Sequence, residues 1–173
     1  QTGLAVSRSR STVLASFVSL LQRVHSDLTG DPPDALRVVY RTNVAGLDED
    51  GYRDRLQESR EGDRQRTYTH LGPHRDDLLL VRNGIDVRDC ASQGEQRAAL
   101  LALVLAEWEY LCEASRRPLL LLDDVMSELD EARRSALVAL VRGGGQAVMT
   151  TIDLRYFSPE ELRQAAVVEL TTE

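Results

Sequence analysis

The sequence predicts an α/β fold, and two patterns in it favour this class. An apolar run, Leu119 to Leu122, has the length of a buried strand and ends in two adjacent aspartates. From about Thr67 onward, segments of strand and helix character alternate along the chain. Such alternation is typical of a layered sheet that is covered by helices.

The first third of the chain is predicted to be mainly helical. Apolar residues recur at three-and-four spacing from Arg8 to Leu28, which predicts an amphipathic helix that stops before Gly30 and the Pro32-Pro33 pair. The segment ALRVVYRTNV, residues 35–44, is predicted to form a strand. Residues 48–66 are highly charged with few apolar positions, so we expect a solvated helix or arm there.

Beyond Thr67, turn and cap residues mark the next elements. Asn83-Gly84 lies between two apolar runs and predicts a two-residue hairpin turn. Ser92 opens a helix that is almost entirely apolar over residues 98–106, and we expect such a helix to be buried on all sides.

The last third continues the alternation. We predict a helix over residues 131–142 that ends at three glycines, a strand over residues 147–150 and an edge strand over residues 167–170. Between these strands, Ser158 with Pro159 predicts the start of a short helix.

Composition narrows the classes of function. The 21 basic residues, all arginine, stand against 28 acidic ones, so the net charge of −7 gives no bulk attraction for nucleic acid. Without any lysine, the chain cannot carry a phosphate-binding loop of the GxxxxGK[ST] kind. Cys90 and Cys112 form no CxxC pair, which favours a reducing cytoplasm, and neither a membrane-spanning stretch nor a signal peptide is apparent.

The run LLLLDD, ending in Asp123 and Asp124, has two interpretations. It is either a strand that ends in a polar turn, or a Walker B strand whose carboxylates serve a magnesium ion and the attacking water. Asp130, at the end of the following SELD, is expected to cap the next helix.

The segment ASQGEQR also has two interpretations. Ser92 and Glu95 form a capping box, and the same helix start, with Gly94, is a favourable site for an anion. His70 and His74 are not predicted to bind zinc, because Gly72-Pro73 separates them and no further ligands are apparent. A turn that pairs Arg75 with Asp76 is expected there instead.

Four segments in fixed order resemble the RecF family of bacterial recombination mediators, which are ATPases of the ABC and SMC-like type. They are GPHRDDL (72–78), ASQGEQR (91–97), LLLLDDVMSELD (119–130) and TTIDLRYF (150–157). The resemblance implies the downstream half of an ABC/SMC-like ATPase head over residues 67–173, preceded by a helical arm subdomain (lobe II-like) over residues 1–66. It also implies that the phosphate-binding loop lies upstream of Gln1.

The resemblance assigns roles to individual residues. Ser92, Gln93 and Gly94 would be the signature that contacts the γ-phosphate of ATP held by a second subunit. Asp123 would hold magnesium through water, and Asp124 would act on the attacking water.

Further roles complete that assignment. Ser127 to Asp130 would form the D-loop, and Thr150 or Thr151 would lie near the place of the switch histidine, which is absent. Gln93 stands where many ABC proteins have glycine, and Asp124 where they have glutamate.

The function expected from the resemblance is that of a DNA repair protein. Its members use ATP and Mg²⁺, form ATP-dependent homodimers, bind DNA at junctions of single and double strands, and work with RecR and RecO in the cytoplasm to load RecA at gaps. They are slow, DNA-dependent ATPases linked to replication, recombination and the SOS response; this chain alone is expected to be inactive.

Two other functions remain open. The chain is alternatively a half-head of another SMC-like or ABC ATPase. The second alternative is a binding module without catalysis, whose DNA contacts would come from arginines of the first third. These arginines are Arg37, Arg41, Arg53, Arg55, Arg60, Arg64 and Arg66.

Overall fold

A computed structural model describes residues 2–114, 116 and 118–170. Within them, helices and strands alternate as the α/β prediction requires. The helices are α1 (Thr2–Thr29), α2 (Glu49–Arg66), α3 (Val87–Cys90), α4 (Gln93–Glu113), α5 (Glu131–Arg142) and α6 (Pro159–Arg163). The strands are β1 (Leu36–Arg41), β2 (Asp77–Arg82), β3 (Ile85–Asp86), β4 (Leu120–Leu122) and β5 (Ala147–Met149).

The strands form two small sheets in the described part of the chain. In the first, β1 pairs antiparallel with β2, so that Leu36 lies opposite Arg82. Strand β2 also pairs antiparallel with β3. Asn83 and Gly84 join β2 to β3 with φ angles of 54° and 83°. Positive φ at both positions is what a type I′ hairpin turn requires, and the predicted hairpin is confirmed.

The second sheet consists of β4 and β5, which run parallel with Leu121 opposite Val148. Leu120 and Leu122 point into the core, whereas Leu121 on the other face is 67% exposed. Since the ends of parallel strands meet at one edge of a sheet, the polar residues after β4 and β5 come together. This sheet therefore positions the candidate site.

The main hydrophobic core joins α1 to α4, β4 and α5. Leu21 and Val24 of α1 are completely buried, and Leu28 is 2% exposed. On α4, small residues such as Ala102 and Ala106 are completely buried in the same cluster. Small side chains allow two helices to approach closely, so the second half of α1 fixes the position of α4.

A smaller cluster lies at the start of α1. Leu4, Val44, Tyr52 and Leu71 are buried together, so α1 contacts both clusters. A Cβ at Gly3 would lie 2.6 Å from the Tyr52 hydroxyl oxygen, which shows how closely α1 and α2 approach.

The division of the chain into residues 1–66 and 67–173 stays a prediction. The pairing of β1 with β2 crosses this boundary. None of the helices in the described ranges is long and apolar enough to cross a membrane.

Three sequence expectations about burial and pairing are wrong. Helix α4 is not buried on all sides, because Leu100 is 58% and Val104 is 44% exposed. Residues 167–170 form no strand; they lie beyond α6 without a ladder partner among the described residues, and Leu170 is 91% exposed. Arg75 does not pair with Asp76 but lies over the ring of Tyr68.

Asp76 instead joins α1 to the β1–β2 sheet. Its side chain is 1% exposed, and its carboxylate accepts hydrogen bonds from Tyr40 and from Ser7 (3.0 Å) and pairs with Arg10 (3.4 Å). Burial acts to raise the pKa of Asp76, but the hydrogen bonds and Arg10 together hold that pKa below its usual value. The charged Asp76 carboxylate thus links α1 to the β1–β2 sheet.

His25 is a buried polar residue of α1, with 2% exposure and no hydrogen-bond partner for Nδ1 among the described residues. Burial lowers its pKa from the usual 6.5; Arg82 and Arg133 lower that pKa further, whereas Asp31 opposes them. Burial therefore disfavours the charged form of His25 in the folded state.

The fold predicts a penalty for Gly144→Ala. A Cβ at residue 144 would lie 2.1 Å from the ring of Trp108, which is buried and donates its indole N–H to the Pro118 carbonyl (2.9 Å). We expect a loss of about 1–3 kcal/mol in the free energy of unfolding, measured by urea denaturation. Gly62→Ala is the control. Gly62 lies within α2, and a Cβ there would have only Arg66 nearby, at 3.8 Å. Alanine at this position should raise the free energy of unfolding by about 0.5–1 kcal/mol. Equal stability of the Gly144→Ala chain and the parent would contradict the packing.

The burial of His25 predicts a pH dependence. Below pH 6.5 the unfolded chain binds a proton that the folded chain resists, so the free energy of unfolding falls as pH decreases, by about 1.4 kcal/mol per pH unit at the steepest. His25→Leu should flatten this dependence in urea denaturation, while exposed His74→Gln should leave it unchanged. The interpretation fails if both variants keep the parental slope.

Candidate functional site

Two aspartates and a threonine meet at the end of the parallel sheet. Asp123 and Asp124 follow β4, and Thr150 follows β5, where its amide donates to the Leu122 carbonyl (2.9 Å). The Thr150 hydroxyl donates to the Asp123 carboxylate and accepts a hydrogen bond from the Asp124 amide (3.0 Å). One hydroxyl therefore connects both aspartates to the neighbouring strand.

Asp124 has a specialised backbone and side chain. Its φ of 45° is in the left-handed region, which Asp and Asn adopt more readily than most residues. The Ser127 hydroxyl lies 2.8 Å from the Asp124 carbonyl oxygen and 3.0 Å from Oδ2. Oδ1 is buried and has no hydrogen-bond partner within the described residues. A buried, unpaired carboxylate oxygen favours a cation or a water molecule as its ligand.

Asp130 has the local role that its position predicts. It is the N-cap of α5, and its carboxylate accepts a hydrogen bond from the Arg133 amide (2.9 Å). The same carboxylate pairs with the Arg133 guanidinium (3.3 Å). The predicted cap is confirmed.

Ser92 begins α4 with the predicted capping box. Its hydroxyl accepts a hydrogen bond from the Glu95 amide (3.3 Å), and Glu95 Oε2 accepts hydrogen bonds from the Ser92 amide (2.8 Å) and hydroxyl (2.9 Å). These bonds, and then Arg82, lower the pKa of Glu95. A carboxylate thus already lies at the helix start, where an anion is favoured.

Arg82 is part of this site, although no motif in the sequence selects it. It is the last residue of β2, and its guanidinium pairs with Glu95 and with Asp31 (3.0 Å). Arg82 therefore links the start of α4 to the segment that follows α1. No local signal could reveal it, because Asp31 lies 51 residues earlier in the chain.

The segments predicted to be the signature (residues 92–94) and the D-loop (residues 127–130) lie on neighbouring parts of the fold. Arg97 of α4 pairs with Glu128 (3.2 Å), and a Cβ at Gly94 would lie 3.9 Å from Arg133 Nη1. By contrast, no hydrogen bond or ion pair between described residues joins Ser92 or Gly94 to the two aspartates of the β4 edge. The predicted residues therefore form two separate clusters.

Gln93 and Thr151 are less closely connected to these clusters. Gln93 is the exposed first residue of α4. The Thr151 hydroxyl accepts a hydrogen bond from the Asp153 amide (3.2 Å) in its own turn. Of the two threonines considered for the switch position, Thr150 is the one that contacts the aspartates.

The oxygen ligands at the β4 edge fit magnesium that is shared with a phosphate. No group of three or more His, Cys, Asp and Glu residues that could hold a metal exists among the described residues. Magnesium, however, commonly uses one or two carboxylates and takes its other ligands from phosphates and water. Exposed Asp123 and the unpaired oxygen of Asp124 match that requirement.

The two histidines considered for zinc have other partners. His70 donates its amide to Asp63 (3.0 Å), and its Nδ1 lies 2.8 Å from the same carboxylate. His74 Nε2 lies 2.7 Å from the Thr69 carbonyl oxygen. Both rings therefore contribute to local turns.

No family model matches the chain. It is 39% identical over 170 residues to the DNA replication and repair protein RecF of Moorella thermoacetica, covering 98% of this chain and 45% of that protein. RecF of Herpetosiphon aurantiacus is 38% identical over 166 residues, covering 95% and 43%. The chain thus spans a little less than half the length of these relatives.

Solved structures give the same result. The recombination mediator protein RecF with ATPrS, in the RecFOR pathway, has a TM-score of 0.70 and 30% identity over 88% of this chain and 42% of that one. The RecF–ATP structure has a TM-score of 0.70 at 29% identity. The predicted resemblance to RecF and the predicted fold class are confirmed.

Proposed function

We propose that this chain, which is homologous over nearly its whole length to a part of RecF, supplies two half-sites of an ATP-dependent DNA repair protein. The observation that carries the proposal is the arrangement at the β4 edge. There Thr150 holds Asp123 and Asp124 at the ends of parallel strands, and Ser127 fixes the second aspartate. The RecF structures with ATP and ATPrS support nucleotide as the ligand.

The two aspartates would have different roles. Asp123 is exposed, so it can reach a water-coordinated magnesium ion that neutralises the charge of the phosphates. Asp124 is half-buried, held through Oδ2 by Ser127, and its free Oδ1 is suited to accept a proton from the attacking water. The shorter side chain of aspartate, compared with glutamate, agrees with slow hydrolysis.

The second half-site would act on another subunit. Ser92, Gln93 and Gly94 would contact the γ-phosphate of ATP bound to a partner, because helix starts and exposed amides favour phosphate. Ser127 to Asp130, the D-loop, lies beside this helix through the Arg97–Glu128 pair. An ATP-dependent homodimer follows, in which each composite site needs both chains.

The function of the whole protein is proposed on the basis of homology. It would be a cytoplasmic, nucleoid-associated protein that recognises DNA gaps and junctions, acts with RecR and RecO, and promotes RecA loading. Residues 1–66 would form an arm subdomain and residues 67–173 a part of the ATPase head. The phosphate-binding loop would come from polypeptide outside this sequence, which contains no lysine.

Asparagine substitutions test the division of labour at the β4 edge. In a full-length RecF protein carrying this sequence, Asp124→Asn should lower kcat about 10²-fold with little change in ATP affinity. Asparagine tolerates the left-handed backbone of residue 124, so the fold should survive. Asp123→Asn should weaken magnesium-dependent nucleotide binding instead. Steady-state kinetics and calorimetry measure both effects, and a parental rate for Asp124→Asn would remove its catalytic role.

The signature role is tested by Ser92→Arg in the same protein. A bulky cation at the start of α4 should abolish ATP-dependent dimerisation in sedimentation, while ATP binding by the monomer persists. Ser158→Arg is the matched control, because Ser158 also forms a capping box, on α6. Each variant must first show a thermal unfolding transition. If a folded Ser92→Arg protein still dimerises with ATP, Ser92 is only a helix cap, worth about 1 kcal/mol.

A further inference from the structure

Helix α2 separates its charges around its axis. Successive helical residues are rotated by about 100°, so residues spaced by four, three and four fall within about 60° of one another. Arg53, Gln57, Arg60 and Arg64 have this spacing and are all exposed. We call Arg53, Arg60 and Arg64 the arginine row; it extends over about 16 Å of helix.

The two sides of the arginine row differ. On one side, the buried Tyr52 and half-buried Leu56, Ser59 and Asp63 attach α2 to the rest of the chain. On the other side, exposed acidic residues form a separate line at the same spacing. These are Asp54, Glu58 and Glu61. The row therefore lies along the junction between α2 and the body of the protein.

The arginine row is largely available to a ligand. The ion pairs found among the described residues include neither Arg60 nor Arg64. Arg53 pairs with Asp50, but both side chains are mostly exposed, at 60% and 84%, so the pair contributes little. Asp63, three residues after Arg60, is engaged by His70 and by the Ser59 hydroxyl (3.2 Å).

Many other arginines of the chain are already paired. Guanidinium groups outside α2 form ion pairs with carboxylates across the fold. They are Arg10, Arg23, Arg82, Arg88, Arg97, Arg133 and Arg155. Arg60 and Arg64 of the row thus provide positive charge that no ion pair between described residues uses.

The chemistry of the row favours a phosphodiester backbone rather than bases. Guanidinium groups bind phosphate with paired hydrogen bonds, and a straight row suits a regular, stiff line of phosphates. Tyr68, an exposed ring just beyond α2, already packs against His70 at 4.4 Å between centroids and lies under Arg75. Stacking of Tyr68 on an unpaired base would compete with these two contacts.

We propose that the arginine row of α2 binds the sugar–phosphate backbone of duplex DNA without reading its sequence. The proposal rests on the proposed DNA-binding function and assigns it a surface. The net charge of −7 makes the contact local, weak and strongly dependent on salt.

Fluorescence anisotropy with a short labelled duplex and the 173-residue chain tests this surface. The triple variant Arg53→Gln, Arg60→Gln and Arg64→Gln should bind at least about tenfold more weakly. Three lost phosphate contacts should make the plot of log K against log salt shallower by about 2–3. Because glutamine and arginine have similar helix propensity, circular dichroism and the thermal transition should match those of the parent.

The matched control removes three exposed arginines away from the row. Arg116→Gln, Arg142→Gln and Arg163→Gln change the net charge equally and should alter affinity less than twofold. Equal losses in both triple variants, or no loss in the row variant, would overturn the surface while leaving DNA binding itself intact. A parent chain that binds no duplex even at low salt would overturn the inference, whereas the Ser92→Arg experiment on the ATP site would be unaffected. The inference would also be overturned if the row variant lost more affinity for single-stranded DNA than for duplex DNA.

Discussion

The packing of α1 on α4 is the contact on which the rest of the structure depends. Leu21 and Val24 are completely excluded from solvent, and they meet a side of α4 that consists largely of alanine. Since α1 is about 42 Å long, the same helix also reaches the smaller cluster around Tyr52. Close helix contact fixes where α4 begins, and so places Glu95 within reach of Arg82, which also pairs with Asp31.

The two aspartates after β4 are held by donors rather than by an opposite charge. The Thr150 hydroxyl and the Ser127 hydroxyl each bind one carboxylate, and no ion pair between described residues includes either of them. The fold thereby keeps negative charge concentrated at one edge of a parallel sheet. Such an edge is prepared to bind a cation that also contacts phosphate. By contrast, the carboxylate at the start of α4 is paired with Arg82.

The sequence by itself determined the features whose causes lie within a few residues. The capping box of Ser92 and Glu95, the cap at Asp130 and the turn at Asn83-Gly84 all form as predicted. Each depends on a side chain bonding to a backbone group at most three residues away, or on a backbone angle that few residues adopt. The order of the RecF-like motifs also predicted the fold and selected the candidate site residues. In the structure these residues form two separate clusters.

Tertiary structure alone decided which distant residues meet. Asp76 pairs with Arg10 of α1 rather than with its neighbour Arg75, because its side chain turns inward. Arg82 pairs with both Asp31 and Glu95, and these three residues lie in three separate segments of the chain. Residues 167–170 have strand-like composition, but no strand in the described part of the chain lies beside them to form ladder hydrogen bonds. Long-range ion pairs and ladder hydrogen bonds need a partner brought near by packing, and sequence spacing does not specify that partner.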